Sequence, residues 1–443
     1  ENDTLKVKTL NNPAERKWPQ LAERSAIKQA RLMELVDKVF YDIRKKGDKA
    51  VLKYARQFDR FSADDFTVDH ETIEAASQQV SERLKQAIAL AKSNIEKFHF
   101  SQKEEIVKVE TSPGVVCWRE ARPIEKVGIY VPGGTAPLFS TVLMLAIPAK
   151  IAGCKEIVLC SPPGKEGAIH PAILYAANLA GVTRIYAVGG IQAIGAMSFG
   201  TKSVPKVEKI FGPGNQYVMT AKHAAQYYGT AIDMPAGPSE LLVVADETCR
   251  PSFVAADLLS QAEHGPDSEV ILLSDNKKVV KEINKELDIQ LANLPRKEMA
   301  EKALKNSRAI LFKDVETCIR FSNVYAPEHL ILAVENPVLR SREVTNAGSV
   351  FLGNYSCESA GDYASGTNHT LPTSGYAKAY SGVSLDSFIK KITFQQLSEE
   401  GIVGIGVAVE TMAEAEELFA HKNAMTLRLG EVSAQQAKNY ENS

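Results

Sequence analysis

The sequence predicts an α/β protein made of two tandem Rossmann-like parallel-sheet domains, with a helical segment before them and a helical tail after them. Three observations predict it. Residues 25–98 carry apolar side chains at three- and four-residue spacing. Residues 127–352 alternate short β-branched runs with helical stretches across Gly/Pro turns, and beyond Ser381 the pattern turns helical and polar. Strands that alternate with helices form parallel sheets. A chain of 443 residues has room for two or three compact units, each with its own core.

Taken in order, residues 1–24 have no pattern to assign. Residues 25–57 and 73–98 read as two long amphipathic helices with charge between the apolar positions. The first βα series follows, with strands at 127–131, 156–161, 184–188 and 209–211 and helices at 137–152, 168–180, 191–199 and 215–228. A turn from Met234 to Pro238 opens the second series, with strands at 241–245, 270–274, 309–313, 329–334 and 349–352. No residue-level repeat relates the two series, so any duplication is architectural. The expected division is an N-terminal segment at 1–24, a main α/β domain from 25–126 plus 241–380, a Rossmann-like domain at 127–240, and a tail at 381–443 that need not pack on its own chain.

Composition excludes several classes. With 52 Lys+Arg against 54 Asp+Glu, a net charge of -2 supplies no field for phosphate backbones, so nucleic acid is not an expected partner. The longest apolar run, from Leu143 to Ile151, is cut by Pro148 and Lys150, far short of the ~20 residues of a membrane span. Neither a membrane span nor a signal peptide is expected. The six cysteines (Cys117, Cys154, Cys160, Cys249, Cys318 and Cys357) are scattered without a C-x-x-C pair, which reads as reduced thiols in a cytoplasmic protein.

Chemistry is expected in the loops at the carboxyl ends of parallel strands. Three of these are glycine-rich: Pro132-Gly133-Gly134-Thr135, Gly189-Gly190-Ile191-Gln192 and Gly212-Pro213-Gly214-Asn215. Each precedes a helix, where backbone amides can cradle a phosphate, yet none is a G-x-G-x-x-G and each can equally be a plain turn. Four histidines sit in polar loop contexts: His264, His329, His369 and His421. The other four, His70, His99, His170 and His223, read as surface or helix residues. Gln261 and His264 are three apart at the end of a helix that stops at Gly265-Pro266, so their side chains share a face. Two imidazoles, an amide oxygen and a carboxylate such as Asp362 would make a zinc set; hydrogen-bonded loop histidines are the bland alternative, and spacing does not choose between them. Glu328-His329 at a strand start offers adjacent acid and base groups, although successive strand residues face opposite sides, so only strand-entry geometry brings both to one pocket.

Eight segments carry a resemblance: RPIEKVGIYVPGGTAPLFSTVLMLAIPAKIAGC (122–154), VGGIQAIGAMSFGT (188–201), KIFGPGNQYV (209–218), AIDMPAGPSELLVVAD (231–246), SQAEHGPDS (260–268), YAPEHL (325–330), ESAGDYASGTNHTLPT (358–373) and AHKNA (420–424). With these the chain resembles the histidinol dehydrogenase family over most of residues 113–424. The resemblance implies an NAD-dependent, zinc-dependent enzyme that ends histidine biosynthesis, oxidising L-histidinol to L-histidinal and then to L-histidine with two NAD. It implies a homodimer with shared active sites and one zinc per subunit. The zinc ligands would be Gln261, His264, Asp362 and, from the exchanged tail of the partner, His421. Glu328 and His329 would be the acid/base pair. Ser239, His369 and Glu416 would contact substrate together with the zinc ligands and Glu328, and Tyr130, Gln192 and Asn215 of the 127–240 domain would contact NAD. Glu416 and His421 are five apart, about 140° round a helix, so both face one site only if the helix stops between them; Lys422-Asn423, just beyond, is a candidate stop.

Three rival functions are open to test. A thiol aldehyde dehydrogenase would use Cys117, Cys154 or Cys357, although Cys357 sits beside Glu358 and not in an electropositive setting. A non-catalytic ligand-binding descendant would have lost Glu328, His329 or a ligand, and all are present. A zinc hydrolase would need no NAD loops.

Overall fold

The computed structural model describes residues 8–24, 30–59, 61–133, 136–164 and 167–441. Gly134 and Thr135 of the first glycine-rich loop, and residues 25–29 of the first expected helix, lie outside them. The described residues form three sheets. The first has the order Thr67–Val68, Arg184–Tyr186, Glu156–Cys160, Lys126–Tyr130, Lys209–Phe211, Ala231–Ile232, parallel throughout except for the antiparallel Thr67–Val68 edge. The second runs Lys8–Asn11, Arg308–Leu311, Glu269–Ser274, Glu240–Ala245, His329–Ala333, Ser349–Leu352, all parallel. Two parallel sheets with helical crossovers are the expected α/β fold, and the central strands are buried on both faces as such sheets require.

The N-terminal helices differ from expectation in their breaks and in their partner. Gly47, at a φ of +53°, ends Ala30–Lys46 and starts Asp48–Phe58. Asp69 caps His70–Gln79 by accepting from the Thr72 amide at 2.8 Å, and Ser81 caps Glu82–Phe100 by accepting from Leu84 at 3.3 Å. Val36, Phe40, Tyr54, Ile88 and Ile95 from these helices share one hydrophobic core with Val127, Ile129, Leu143, Ile157 and Phe211. These helices therefore pack on the first sheet, whereas the sequence groups residues 25–126 with 241–380. His99, expected on a surface or in a helix, is helical but fully buried, its Nδ1 2.9 Å from the Ile95 carbonyl. The unassigned N-terminus supplies an edge strand, Lys8–Asn11, and buries Trp18 against Phe312 and Phe321 in the core of the second sheet.

A second compact unit comprises residues 103–123 and 389–443. Its sheet is antiparallel, Ile389–Leu397 against Val115–Pro123 against Lys108–Ser112, with Trp118 stacked on Phe394. Helices Glu399–Ala415 and Phe419–Glu441 follow. The tail expected to be helical from residue 381 instead carries a short 3-10 helix, Leu385–Phe388, and a nine-residue strand, Ile389–Leu397, before its long helices. Its partner strand lies some 270 residues earlier, beyond the reach of any local pattern.

Candidate active site

A cleft of about 260 Å³ lies at opposite ends of the two parallel sheets. Gly212, Pro213, Gly214 and Asn215, which follow strand Lys209–Phe211, form one wall. Asp233, Met234, Ala236, Gly237, Pro238 and Ser239 on the connection between the sheets form the floor, and His264, Glu328 and His369 complete it. The first sheet thus presents carboxyl ends, as expected. The second presents amino ends, because Ser239 and Glu328 each stand one residue before their strands, Glu240–Ala245 and His329–Ala333.

Strand entry brings Glu328 and His329 together. Helix Val315–Tyr325 ends in Ala326 at a φ of +55°, Pro327 follows, and Glu328 precedes the first strand residue, His329. The Glu240 amide donates to Glu328 Oε2 at 2.8 Å, while the Glu240 carbonyl lies 3.2 Å from His329 Nδ1. That carbonyl can only accept, so Nδ1 is assigned the proton and Nε2 is left as the basic nitrogen. Around the ring stand Glu328 Oε2 and Glu358 Oε1, each 3.7 Å from Nδ1, and Asp362 Oδ1, 3.6 Å from Nε2. Burial alone would lower the His329 pKa, but Glu358, Glu328 and Asp362 outweigh it and raise it to about 10. Burial also pushes the carboxyls of Glu328 and Glu358 well above the usual range. Two buried carboxyls and the partly exposed Asp362 thus surround the imidazole and favour its charged form.

Potential metal donors adjoin this pair. Ligand atoms of His264, Glu358 and Asp362 all lie within 4.8 Å of one another. Gln261 is fully buried, and neither its amide oxygen nor its nitrogen has a hydrogen-bond partner among the described residues; the same holds for both Glu358 oxygens. Unsatisfied buried polar atoms on this scale mark a site built for something further. Nitrogen and oxygen donors of this kind suit zinc. Burial acts to raise the Asp362 pKa, but His329, His369 and His264 more than offset it and hold the group as a carboxylate. Glu358 was not singled out from the sequence. The available signal was its spacing, four before Asp362 on helix Glu358–Tyr363. His369 is oriented at both nitrogens, Nδ1 2.9 Å from the Asp362 carbonyl and Nε2 3.1 Å from Thr141 Oγ1, and burial holds its pKa down.

The Gly212 loop is held by a buried ion pair. Lys222 Nζ donates to the Gly212 carbonyl at 2.7 Å and to Asp233 Oδ1 at 2.5 Å, and Asp233 Oδ2 accepts from the Gly212 amide at 2.8 Å. Both side chains are only 1% exposed. Gly212 adopts a φ of +120°, and a Cβ there would stand 2.0 Å from the Tyr130 carbonyl oxygen. Gly212→Ala should therefore cost about 3 kcal/mol, read from the denaturant midpoint, because strain and overpacking add at one position.

The remaining expected site residues are dispersed. Asn215 is on the cleft wall, but its Oδ1 also caps helix Gln216–Tyr227 by accepting from Tyr217 and Val218. Tyr130 and Gln192 are buried and do not line the cleft. The Tyr130 hydroxyl accepts from the Gly190 amide at 3.1 Å, and Gln192 Nε2 donates to Asp59 Oδ2 at 2.8 Å, so both shape the Gly189-Gly190 turn. Glu416 and His421 are exposed residues of the second unit. Helix Glu399–Ala415 stops at Glu416, Glu417 takes a φ of +59°, and the next helix starts at Phe419. The required stop between Glu416 and His421 exists, but ahead of His421; helix Phe419–Glu441 continues through Lys422-Asn423. No cysteine lines the cleft. Burial pushes the Cys154 thiol up to about 12, and Cys117 lies in the antiparallel sheet, which argues against a thiol mechanism at either.

Known proteins place the chain. A family model described as histidinol dehydrogenase matches residues 22–429. A histidinol dehydrogenase of Bacteroides thetaiotaomicron is 58% identical over 423 residues, covering 96% of this chain and 99% of the relative. One from Shigella dysenteriae serotype 1 is 52% identical over 419 residues, covering 94% and 96%. The crystal structure of histidinol dehydrogenase from Elizabethkingia anophelis superposes with a TM-score of 0.95 at 59% identity, covering 96% of this chain and 99% of that one. With Glu328 and His329 beside a cluster of metal-type donors, and with relatives matched over almost their whole length, the chain belongs to the histidinol dehydrogenase family of oxidoreductases.

Proposed function

We propose that the chain oxidises L-histidinol through L-histidinal to L-histidine with two NAD, using one zinc per subunit in active sites shared across a homodimer, as a cytoplasmic biosynthetic enzyme. The observation that carries this reading is the contact of His329 with Asp362, which joins the acid/base pair to the donors of His264, Glu358 and Asp362. Gln261, His264 and Asp362 would hold the zinc with His421 of the partner subunit, and the orphaned Gln261 amide fits that role. Bound there, zinc would orient the amine and imidazole of histidinol. NAD supplies the hydride acceptor, with Asn215 on the cleft wall and Tyr130 and Gln192 shaping a neighbouring turn.

The chain's own residues handle the protons. In the first oxidation His329 Nε2 takes the hydroxyl proton, and the nearby carboxylates stabilise the imidazolium that results. In the second, Glu328 takes a proton from the water that adds to the aldehyde, the His329 imidazolium returns its proton to the aldehyde oxygen, and the neutral ring then removes a proton from the hydrate as hydride leaves for the second NAD. Ser239 and His369 contact substrate from the cleft, joined by Glu416 from the second subunit. A homodimer is further supported by helix Glu399–Ala415, where Val403, Val407 and Met412 are 50%, 68% and 66% exposed in the single chain.

Anaerobic turnover tests the reading. Two NADH should form per histidine, prolonged chelation should abolish activity, and added zinc should restore it, because a ligand set with one formal negative charge retains its metal loosely. One NADH with release of histidinal would defeat the two-step reading. Full activity in protein shown metal-free by elemental analysis would defeat the zinc role.

A further inference from the structure

We propose that Arg24, in the N-terminal segment, is a positioning residue that sets the geometry of Glu328 and His329 through Glu240. Its guanidinium makes a bidentate pair with Glu240, Nε to Oε1 and Nη2 to Oε2, both at 2.9 Å, with the Glu240 side chain 2% exposed. Nη1 donates to the Ala22 carbonyl at 2.8 Å, which anchors the arginine to its own segment. The guanidinium carbon also stands 3.5 Å over the ring of Tyr325, the last residue of the helix that leads into Glu328.

Glu240 is where this restraint meets the chemistry. Its amide holds Glu328 Oε2 and its carbonyl faces His329 Nδ1, so a shift of this one peptide segment moves both members of the pair. Its Oε1 also accepts from the Ser374 amide at 2.9 Å, and Ser374 follows Thr373 on the cleft lining. One planar cation thus joins three segments that carry the site: the strand start at Glu240, the helix end before Glu328, and the loop after His369. A bidentate fork stacked on an aromatic face fixes orientation as well as distance, which a lysine ammonium does not do. Buried ion pairs are weak sources of stability, so fixing the geometry is the role that suits this one.

The inference rests on the oxidation reading, and two measurements separate them. Steady-state kinetics of the zinc-loaded enzyme with histidinol and NAD would compare wild type, Arg24→Met, Arg24→Lys and, as a destabilised control in the same segment, Trp18→Leu. Hydrogen exchange of metal-free protein, read on peptides covering Glu240 and Ser374, needs no turnover. Arg24→Met should lose about tenfold or more in kcat with both KM values within about twofold, since misplaced catalytic groups damage the chemical step rather than binding. Arg24→Lys should regain part of that loss, exchange at the two amides should quicken in Arg24→Met, and Trp18→Leu should lower the melting temperature while keeping its kcat. A wild-type kcat in Arg24→Met, a loss carried by KM, or an equal kcat loss in Trp18→Leu would overturn the inference. Wild-type protein inactive on histidinol would overturn the oxidation reading instead, with the exchange result still able to decide the role of Arg24.

Discussion

His329→Asn is expected to slow both oxidations by roughly 10²- to 10⁴-fold, the range general acid–base catalysis contributes, because each step removes a proton from oxygen. The Glu240 carbonyl faces Nδ1 and so leaves Nε2 as the nitrogen that accepts the proton. Glu328→Gln should divide the two half-reactions. Histidinal oxidation should fall by about 10²-fold more than histidinol oxidation, because only the second step needs an activated water. Separate assays with histidinol and with histidinal check both variants. An equal loss for the two substrates in Glu328→Gln would remove its assignment to the water.

The second large effect concerns subunits in combination. Subunits with His264→Asn and subunits with His421→Asn should each be inactive alone, yet unfolding and refolding them together should restore about a quarter of wild-type activity in a twofold dimer. Random pairing makes half of the dimers mixed, and each mixed dimer holds one site with both histidines intact and one with both lesions. The structure supplies the motive: His421 is exposed on a unit whose helix Glu399–Ala415 carries uncovered apolar side chains. Mixed dimers confirmed by mass spectrometry but lacking activity would show that each tail serves its own subunit.

Much of this arrangement was legible in the sequence because local pattern encodes it. Strands Glu240–Ala245 and Glu269–Ser274 fall within one residue of where apolar runs and turns put them, since a strand buried on both faces is a continuous apolar run. The Glu328-His329 pair and the Gln261/His264 spacing were also readable from neighbours in the chain. The antiparallel sheet was not: Ile389–Leu397 and Val115–Pro123 are partly exposed, mixed in polarity and far apart in sequence. Arg24 escaped notice for a related reason. Its partner is 216 residues away, and the segment that ends at Arg24 has no periodic pattern. At Tyr130 and Gln192 residue type does not reveal the bonds to the Gly190 amide and to Asp59, which only the fold brings within reach.

Residues 233–239, the chain between Ala231–Ile232 and Glu240–Ala245, serve at once as covalent connection and as pocket floor. Here any rocking of one sheet against the other must bend the floor itself. Ser239 would then shift its place relative to Asp233, whose carboxylate is locked to the Gly212 loop. Release of a bound molecule and loss of grip on it become one motion, which suits the two-step oxidation proposed above, where an aldehyde has to stay bound between the steps.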